Sequence, residues 1–449
     1  MSFLENLYNL AVHALRPLLP AFGAGSTKVS AAVEGRRMAA EDIARWARQE
    51  RDPFRPLLWL HGASAGELAG AIPILDVVRT RRPELQLLVT YSSPSAESVL
   101  SELAPDHGGY PPLETRAACR EALEAARPDA LVFAKLDAWP ALTGAAEEAG
   151  VPLGMVNATV RPSSSRLRGP GRQLLVPSYG RLDLVGAVSE AEVERLELLG
   201  TRPGSIRVTG DASFERALDR VEKARAHAAT GGPRLGPPAP GVVRLCAGSS
   251  WPEDERVLIE GAAILGSREG QHPELELVLV PHEPNAAAVQ RIRDLCRHHL
   301  GMEPRLWSAL DGSRPPVAGP IRAPVLVDAV GFLAELYLEC DLAWVGGGIG
   351  GEGLHSVVEP AAAGLPVLFG PVHDRWEATA LEGLGAGLAV PPEDVAGVLS
   401  ALLSDPRKLA EMGTGARRYV EGGRGATEAS AALVLELLSG SASELSVEP

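Results

Sequence analysis

A short segment of small residues carries the first side chains that could do chemistry. It reads His61-Gly-Ala-Ser-Ala-Gly-Glu67, directly after the apolar run Leu57–Leu60 and at the start of a helical pattern. Small residues let a ligand approach the backbone, and the free amides of a helix N-terminus favour an anion. A carboxylate beside such a ligand could remove a proton from a hydroxyl. Glu67 is therefore a candidate general base, and the simpler alternative is a Glu that suits the helix dipole.

The same segment also permits a hydrolase interpretation. Gly62-Ala-Ser64-Ala-Gly66 matches the Gly-x-Ser-x-Gly nucleophile elbow of α/β-hydrolases. That elbow normally follows several strands, whereas this one follows the first. Three histidines come later in the chain, but no spacing selects one of them as a partner: His282, His355 and His373.

A second glycine-rich segment lies between the apolar run Leu342–Val345 and another helical pattern. It begins at Gly346 and continues into Ser356-Val-Val-Glu359. Backbone amides in such a loop suit a phosphate, and Glu359 could bond the vicinal hydroxyls of a sugar. The loop has no Gly-Lys-Ser/Thr sequence, so it is not a Walker A loop.

The elements that must position these segments alternate between short apolar runs and amphipathic ones. This alternation predicts right-handed crossovers and mainly parallel sheets with helices on both faces. A Pro- and Gly-rich stretch near residues 229–241 divides the chain almost in half, and two such halves would form a ligand cleft between the carboxyl ends of their sheets. The predicted strands are Leu57–Leu60, Leu85–Thr90, Ala130–Phe133, Val151–Val156, Leu182–Ala187, Val242–Ala247, Leu275–Val280, Val325–Val327, Leu342–Val345 and Val367–Leu368.

The N-terminus contains an amphipathic helical pattern over Leu4–Leu15. Such a helix could lie in a membrane interface, or it could pack on its own domain. The chain has no apolar stretch long enough for a bilayer span and no signal-peptide pattern.

Charge and cysteine content exclude other classes. The 449 residues include 43 Lys plus Arg and 57 Asp plus Glu, a net charge of −14, which argues against a general nucleic-acid binder. Most of the acidic excess lies after residue 200. The first half carries a basic loop, Arg161 to Arg172, that could contact phosphates or simply be solvated. The four cysteines form no metal or redox motif, and we expect no metal site.

Larger blocks of sequence resemble one enzyme family. The Glu-Pro-x-x-x-Gly-x-Pro-Val block from Glu359 resembles the donor-nucleotide half of glycosyltransferases with the GT-B fold. The segment His61–Glu67 is similar to the His-x-x-Ser-x-Gly-Glu motif of Kdo transferases, which transfer 3-deoxy-D-manno-octulosonic acid (Kdo) from CMP-Kdo to a lipid A precursor. The similarity covers most of residues 1–390, and its other stretches are Thr90–Ala96, Trp139-Pro140, Val156–Ala158, Ser189–Leu199, Val208–Gly210, Val327-Asp328 and Gly346–Pro371.

This resemblance implies an α/β fold of the GT-B type, with two Rossmann-like parallel-sheet domains facing a central cleft. Together with the composition of the linker and of the C-terminal residues, it predicts the following segments: an amphipathic membrane-associated helix over 1–24, an acceptor-binding domain over 25–221, a linker over 222–241, a nucleotide-sugar-binding domain over 242–440 and a flexible tail over 441–449.

The resemblance also implies an inverting, metal-independent enzyme of lipopolysaccharide synthesis with Glu67 as base. The enzyme would need no cofactor, since CMP-Kdo is a substrate, and it would lie on the cytoplasmic face of the inner membrane without binding nucleic acid. The expected acceptor-binding residues are Ser64, Arg161, Arg166 and Arg168. The expected donor-binding residues are His282, Gly331, Phe332, Gly346, Gly347, Ser356, Val357, Val358 and Glu359.

The chain departs from the family pattern at several charged positions. His282-Glu283 stands where the family has Arg-His, and Ser213 where it has a Lys. Lys135 replaces a Glu, and Ser356 replaces an Asn. Lost charge-assisted contacts weaken donor or transition-state binding. Two alternatives therefore stay open: a GT-B enzyme that uses another activated sugar, or a catalytically impaired relative that binds lipid or nucleotide sugar.

Overall fold

Strands and helices alternate along nearly all of the described chain. The computed structural model describes residues 3–15, 27–230, 235–236, 240–267, 273–310 and 321–444. The chain divides into two units, one formed by residues up to Arg216 together with those from Gly423, the other by Ala217–Gly422.

The first unit is built on a sheet of seven parallel strands in the order β3-β2-β1-β4-β5-β6-β7. These strands are β1 Leu57–Gly62, β2 Gln86–Tyr91, β3 His107–Gly109, β4 Ala130–Ala134, β5 Leu153–Ala158, β6 Leu184–Ala187 and β7 Ile206–Val208. Its first eight helices are α1 Phe3–Leu15, α2 Thr27–Gln49, α3 Ala65–Arg81, α4 Glu97–Leu103, α5 Arg116–Ala126, α6 Pro140–Glu148, α7 Gly169–Gly180 and α8 Glu190–Leu198.

The second unit repeats this plan with a parallel sheet in the order β10-β11-β9-β8-β12-β13-β14. These strands are β8 Val242–Ser250, β9 Glu274–Pro281, β10 Arg305–Leu306, β11 Val325–Leu326, β12 Leu342–Val345, β13 Val367–Phe369 and β14 Gly387–Ala389. The remaining helices are α9 Ser213–Ala229, α10 Pro252–Gly266, α11 Ala286–Leu300, α12 Leu333–Leu338, α13 Val358–Ala363, α14 Trp376–Gly383, α15 Val395–Leu403, α16 Pro406–Glu421 and α17 Ala426–Glu444. Of these, α17 belongs to the first unit, and α9 begins in the first unit and continues into the second.

Each sheet is covered on both faces, so its central strands are apolar on both sides. In β1, Leu57 and Trp59 lie in the core that includes residues of α2, α5, α6 and α7. The alternate residues Leu58 and Leu60 lie in the core that includes residues of α3, α4 and α17. Continuous apolar runs rather than alternating ones are what a doubly covered parallel sheet requires.

Aspartates tie neighbouring strands together at the amino edges of both sheets. Each precedes a strand and accepts a hydrogen bond from the backbone N–H of a residue in the adjacent strand, which satisfies a donor the ladder leaves open. The pairs are Asp129 with Leu57, Asp106 with Leu87, Asp183 with Leu153 and Asp341 with Arg244, at 2.7, 2.7, 2.9 and 2.8 Å.

The predicted boundaries need correction at the linker and the C-terminus. Helix α9 continues through residue 229, so the linker does not begin at residue 222. Residues from Gly423 belong to the first unit, because Leu433 and Leu437 of α17 complete the core around Leu75. Helix α17 reaches Glu444, four residues into the predicted tail. Other parts of these predictions lie outside the described residues: 16–24, 231–234, 237–239 and 445–449.

Four short edge strands were absent from the prediction. They are β3, β7, β10 and β14, each two or three residues long. Within the described ranges, no helix has the length and apolarity that crossing a bilayer requires.

Candidate active site

The order of strands marks one position in each sheet where a ligand is expected. In the first unit the chain runs outward from β1 through β2 to β3, and then outward on the other side from β4 to β7. In the second unit the same reversal falls between β8 and β12. Open α/β sheets bind ligands beyond the carboxyl ends of the strands at such a switch point. The segments that begin at His61 and Gly346 follow β1 and β12, so both lie where the topology favours a site.

Glu67 lies in the first turn of α3, just beyond β1. Its carboxylate accepts a hydrogen bond from the backbone N–H of Ala63 at 2.7 Å. The pKa of Glu67 is raised to about 7, mainly by burial and also by the negative charge of Asp137. The Ala63 hydrogen bond and the positive charges of Lys135 and Arg166 act in the opposite direction and lower this pKa. A carboxyl group with a pKa near neutrality suits a general base.

The hydrolase interpretation finds no support at Ser64. This residue is the N-cap of α3, and its side chain makes no capping hydrogen bond. The neighbouring His61 is buried and its Nδ1 contacts the Thr90 hydroxyl at 3.0 Å, so its ring is committed elsewhere. Burial lowers the pKa of His61 to about 4. No histidine within the described part of this unit forms a hydrogen bond with Ser64.

The loop after β4 lies on the other side of the same switch point. Its first residue, Lys135, has a φ of 69°, and its backbone N–H donates to Val156. A left-handed conformation at a non-glycine residue is strained, and such strain is concentrated at functional sites. The next carbonyl, that of Leu136, accepts hydrogen bonds from the Tyr179 hydroxyl at 2.6 Å and from Arg166 at 3.3 Å.

Arg166 therefore has a positioning role within its own unit. It forms an ion pair with Asp137, and its guanidinium carbon lies 5.2 Å from the ring centroid of Trp139. These contacts fix the loop that carries Lys135. Arg161 and Arg168, the other predicted acceptor-binding arginines, are exposed at the surface.

A second left-handed residue, Asn157, connects this region to Ser213. Its φ is 51°, its amide nitrogen donates to the Gly70 carbonyl at 2.9 Å, and its amide oxygen accepts from the backbone of Ala212 at 3.0 Å. A Cβ at Gly70 would lie 3.8 Å from the Cβ of Ser213. The position where the family pattern has a Lys thus lies beside α3, about one turn beyond Glu67.

In the second unit, the carboxylate of Asp254 anchors the glycine-rich loop. It accepts hydrogen bonds from the backbone N–H groups of Gly347 and Trp251 at 2.9 and 3.0 Å, and from the Trp344 indole at 3.1 Å. Burial raises its pKa, while these three hydrogen bonds lower it.

The backbone amides of the two glycines predicted to bind the donor have hydrogen-bond partners within their own unit. The backbone N–H of Gly346 donates to Gly248, and that of Gly347 donates to Asp254, so both amides are used within the unit. A Cβ at Gly347, where φ is 94°, would lie 2.1 Å from the Gly353 carbonyl oxygen. Glycine is needed there because the loop folds tightly on itself.

Apart from His282, the remaining predicted donor residues follow β11 and β12 in the chain. Glu359 lies in the first turn of α13 and forms an ion pair with Arg220 of α9. Val357 and Val358 are buried, and the Ser356 hydroxyl accepts from the backbone of Val358 at 3.4 Å. Gly331 and Phe332 belong to the segment before α12, where the Phe332 ring lies 6.0 Å from that of Trp307.

Three aromatic rings stack beside this loop. The ring centroid of His282 lies 4.9 Å from that of Trp251 and 4.5 Å from that of His355. The Trp251 indole N–H donates to Nε2 of His355 at 2.9 Å. Burial lowers the pKa of His355 to about 4, assisted by the charges of His282 and Arg375. The three residues follow β8, β9 and β12, which are neighbours in the sheet.

Comparison with known proteins finds similarity to one family. Residues 36–216 match the family model described as 3-Deoxy-D-manno-octulosonic-acid transferase (kdotransferase). The 3-deoxy-D-manno-octulosonic acid transferase of Bordetella pertussis is 27% identical over 434 residues, which cover 94% of this chain and 97% of that protein. Both findings support the Kdo transferase family, and with it a glycosyltransferase.

Solved structures confirm the fold. UDP-GlcNAc 2-epimerase from Neisseria meningitidis, bound to UDP-GlcNAc, aligns with a TM-score of 0.55 at 15% identity, over 86% of this chain and 100% of that chain. MurG from Acinetobacter baumannii aligns with a TM-score of 0.53 at 13% identity, over 85% and 99% of the two chains. The fold is therefore the α/β GT-B type that the sequence predicts.

Several residues of the site were not predicted from the sequence. Asp254 is the third residue of a helix whose first residue is Pro252. A proline at the first helical position and a carboxylate at the third are a helix-start signal that could have pointed to Asp254. The sequence around Trp251 and Arg220 gave no comparable signal. The stacking of Trp251 on two histidines and the ion pair of Arg220 with Glu359 are tertiary contacts, which form only in the folded chain.

Proposed function

We propose that the protein transfers Kdo from CMP-Kdo to a hydroxyl of a lipid A precursor in lipopolysaccharide synthesis, with inversion at the anomeric carbon. The observation that carries the proposal is the placement of Glu67. Its carboxylate is largely buried, has a pKa of about 7 and lies at the topological switch point of the first unit. The names of the relatives and the His61–Glu67 motif support Kdo as the transferred sugar.

In this mechanism, Glu67 removes the proton of the acceptor hydroxyl. The acceptor oxygen forms a bond to the anomeric carbon of Kdo from the face opposite to CMP. The bond between that carbon and the phosphate oxygen breaks, and CMP leaves with the bonding electron pair. Lys135 lowers the pKa of Glu67, which favours its basic form near neutral pH. Glu359 binds the ribose hydroxyls of CMP in place of its contact with Arg220.

The proposal includes peripheral binding to the cytoplasmic face of the inner membrane through α1. Polar contacts hold this helix on its unit: Glu5 pairs with Arg181, and Asn9 accepts from the backbone of Arg116 at 2.9 Å. Its apolar side chains Leu7 and Leu10 are 52% and 64% exposed. A helix attached by polar groups and exposing leucines is suited to an interface between water and lipid.

Mass spectrometry of the product tests the proposed reaction. The protein is incubated with CMP-Kdo and a tetra-acylated lipid A precursor, beside Glu67→Gln and the control Glu121→Gln, which changes an exposed carboxylate on α5. We expect Kdo addition by the wild type and the control, and a loss of at least about 100-fold in Glu67→Gln, the size of a general-base contribution. Equal turnover by Glu67→Gln would remove Glu67 as the base.

A second candidate function is binding without turnover. It is favoured by Ser213 and Lys135, which replace a cation and an anion of the family pattern at the Glu67 site. Absence of product at high enzyme concentration, together with an increase in Tm on adding CMP-Kdo, would favour this candidate. An increase in Tm with another nucleotide sugar but not with CMP-Kdo would indicate a different donor.

A further inference from the structure

We infer that Trp251 is a positioning residue of the donor site. It holds His355 as a neutral ring with its proton on Nδ1. His355 then presents an uncharged N–H donor to the nucleotide sugar. This inference rests on the proposed function for the identity of the ligand. The tautomer itself follows from the geometry of the second unit alone.

The position of the three rings connects them to a ligand. Trp251 and His355 follow β8 and β12, the two strands that flank the switch point of this sheet, and His282 follows the neighbouring β9. His282 is exposed, whereas Trp251 and His355 are partly buried. The loop that holds His355 is closed by a hydrogen bond from its backbone N–H to Gly346 at 3.0 Å. The stack therefore has a fixed inner part and a solvent-facing end.

The direction of the hydrogen bond determines the tautomer of His355. An indole nitrogen is only a donor, so Nε2 of His355 must be the acceptor and carries no proton. A neutral imidazole has one N–H, which must then be on Nδ1. Protonation at Nε2 would place two N–H groups against each other at 2.9 Å. Burial and the nearby Arg375 also oppose the charged ring, and the pKa of His355 is accordingly lowered to about 4.

The stack gives this chain a particular way to bind an anionic donor. His282 stands where the family pattern has a permanently charged Arg. The His282 ring packs on both Trp251 and His355, at 24° and 30° to their planes. A neutral N–H on a fixed ring donates to a phosphate or sugar oxygen with little loss of side-chain entropy. Trp251 acts through His355, so it contributes to donor binding rather than to the chemical step.

The deciding experiment compares the wild type with Trp251→Phe, which keeps a stacking ring but removes the indole N–H. Nitrogen-15 NMR at pH 7, with the His355 signals assigned from His355→Gln, should show the Nδ1–H tautomer in the wild type and a mixture of tautomers in Trp251→Phe. Steady-state kinetics should show an increase in KM for CMP-Kdo of about three- to tenfold, the range for one neutral hydrogen bond, with kcat changed less than twofold.

Trp376→Phe is the matched control, since it makes the same change at a tryptophan that packs edge-on against Tyr419. It should leave both the tautomer and KM unchanged, and a Tm near the wild-type value establishes that each variant is folded. A wild-type His355 protonated on Nε2 would overturn the inference whether or not the protein is active. A wild type with the expected tautomer but no transfer of Kdo would contradict the proposed function instead. Unchanged KM in an active Trp251→Phe would overturn the role in donor binding.

Discussion

At the scale of single residues, the environment of Glu67 differs from that of an ordinary glutamate at a helix start. Two opposing influences act on it: burial and Asp137 raise its pKa, whereas the Ala63 hydrogen bond, Lys135 and Arg166 lower it. The result, about 7, leaves a large fraction of the group ionised at neutral pH. The Glu that the family pattern has at position 135 would act in the opposite direction from Lys135, so this replacement tunes the candidate base.

The pH dependence of the reaction tests this tuning. Because Glu67 acts in its ionised form, kcat/KM should fall about tenfold per pH unit below pH 7. Lys135→Gln removes a positive charge that lowers the pKa of Glu67, so the acidic limb of the profile should move to higher pH. The exposed Lys408→Gln on α16 serves as the control. An acidic limb at the same pH in Lys135→Gln and Lys408→Gln would show that Lys135 does not act on the base.

Stability should follow the same titration with a defined sign. The pKa of Glu67 in the folded protein lies above its ordinary value of 4.5, so ionisation opposes folding. The free energy of unfolding should therefore decrease as pH rises from about 4.5 through about 7, and Glu67→Gln should flatten this decrease. Urea unfolding at pH 5 and pH 8 measures the difference.

At the scale of elements, much of the site could be predicted from sequence, because apolar runs and glycine punctuation locate β1, β4, β8 and β12 well. Right-handed crossovers then fix the face of the sheet on which each connecting helix lies, whereas the order of the strands is known only from the structure. What could not be predicted depends on side chains that meet only after folding. The predicted start of the linker at residue 222 was wrong, because residues 222–229 continue the helix that begins at Ser213. Strands of two or three residues, such as β10, contain too few positions to show a pattern.

The proposed membrane contact of helix α1 can be tested separately from the reaction. The double variant Leu7→Glu, Leu10→Glu changes only exposed side chains, so the fold should be retained. Its binding to vesicles of anionic phospholipid should fall at least about tenfold, because burying one leucine contributes roughly 1.5–3 kcal/mol. The matched control, Leu198→Glu, changes another half-exposed leucine, on α8. Vesicle co-sedimentation measures binding. Equal sedimentation of the double variant and the control would place membrane contact elsewhere.

At the scale of the whole molecule, the chain order makes the first unit depend on the last residues of the sequence. Helix α17 belongs to this unit although the entire second unit precedes it. Its Leu433, Val434 and Leu437 lie in the core formed with β1 and α3. The fit is close, since a Cβ at Gly154 of β5 would lie 2.3 Å from a methyl carbon of Leu437. The first unit therefore completes its core only when α17 has been synthesised.

Truncation after Gly422 should destabilise the first unit selectively. Removing α17 exposes the apolar surface of α3 and β5, and losing three buried residues of this size costs on the order of 5–9 kcal/mol, comparable to the stability of a whole domain. The core of the second unit contains no residue of α17 among those described, so its structure should persist. Hydrogen exchange of the truncated chain measures the two units separately. We expect loss of protection in β1 and β4 and retained protection in β8 and β12; protection retained in β1 would mean that α17 only covers a core already stable without it.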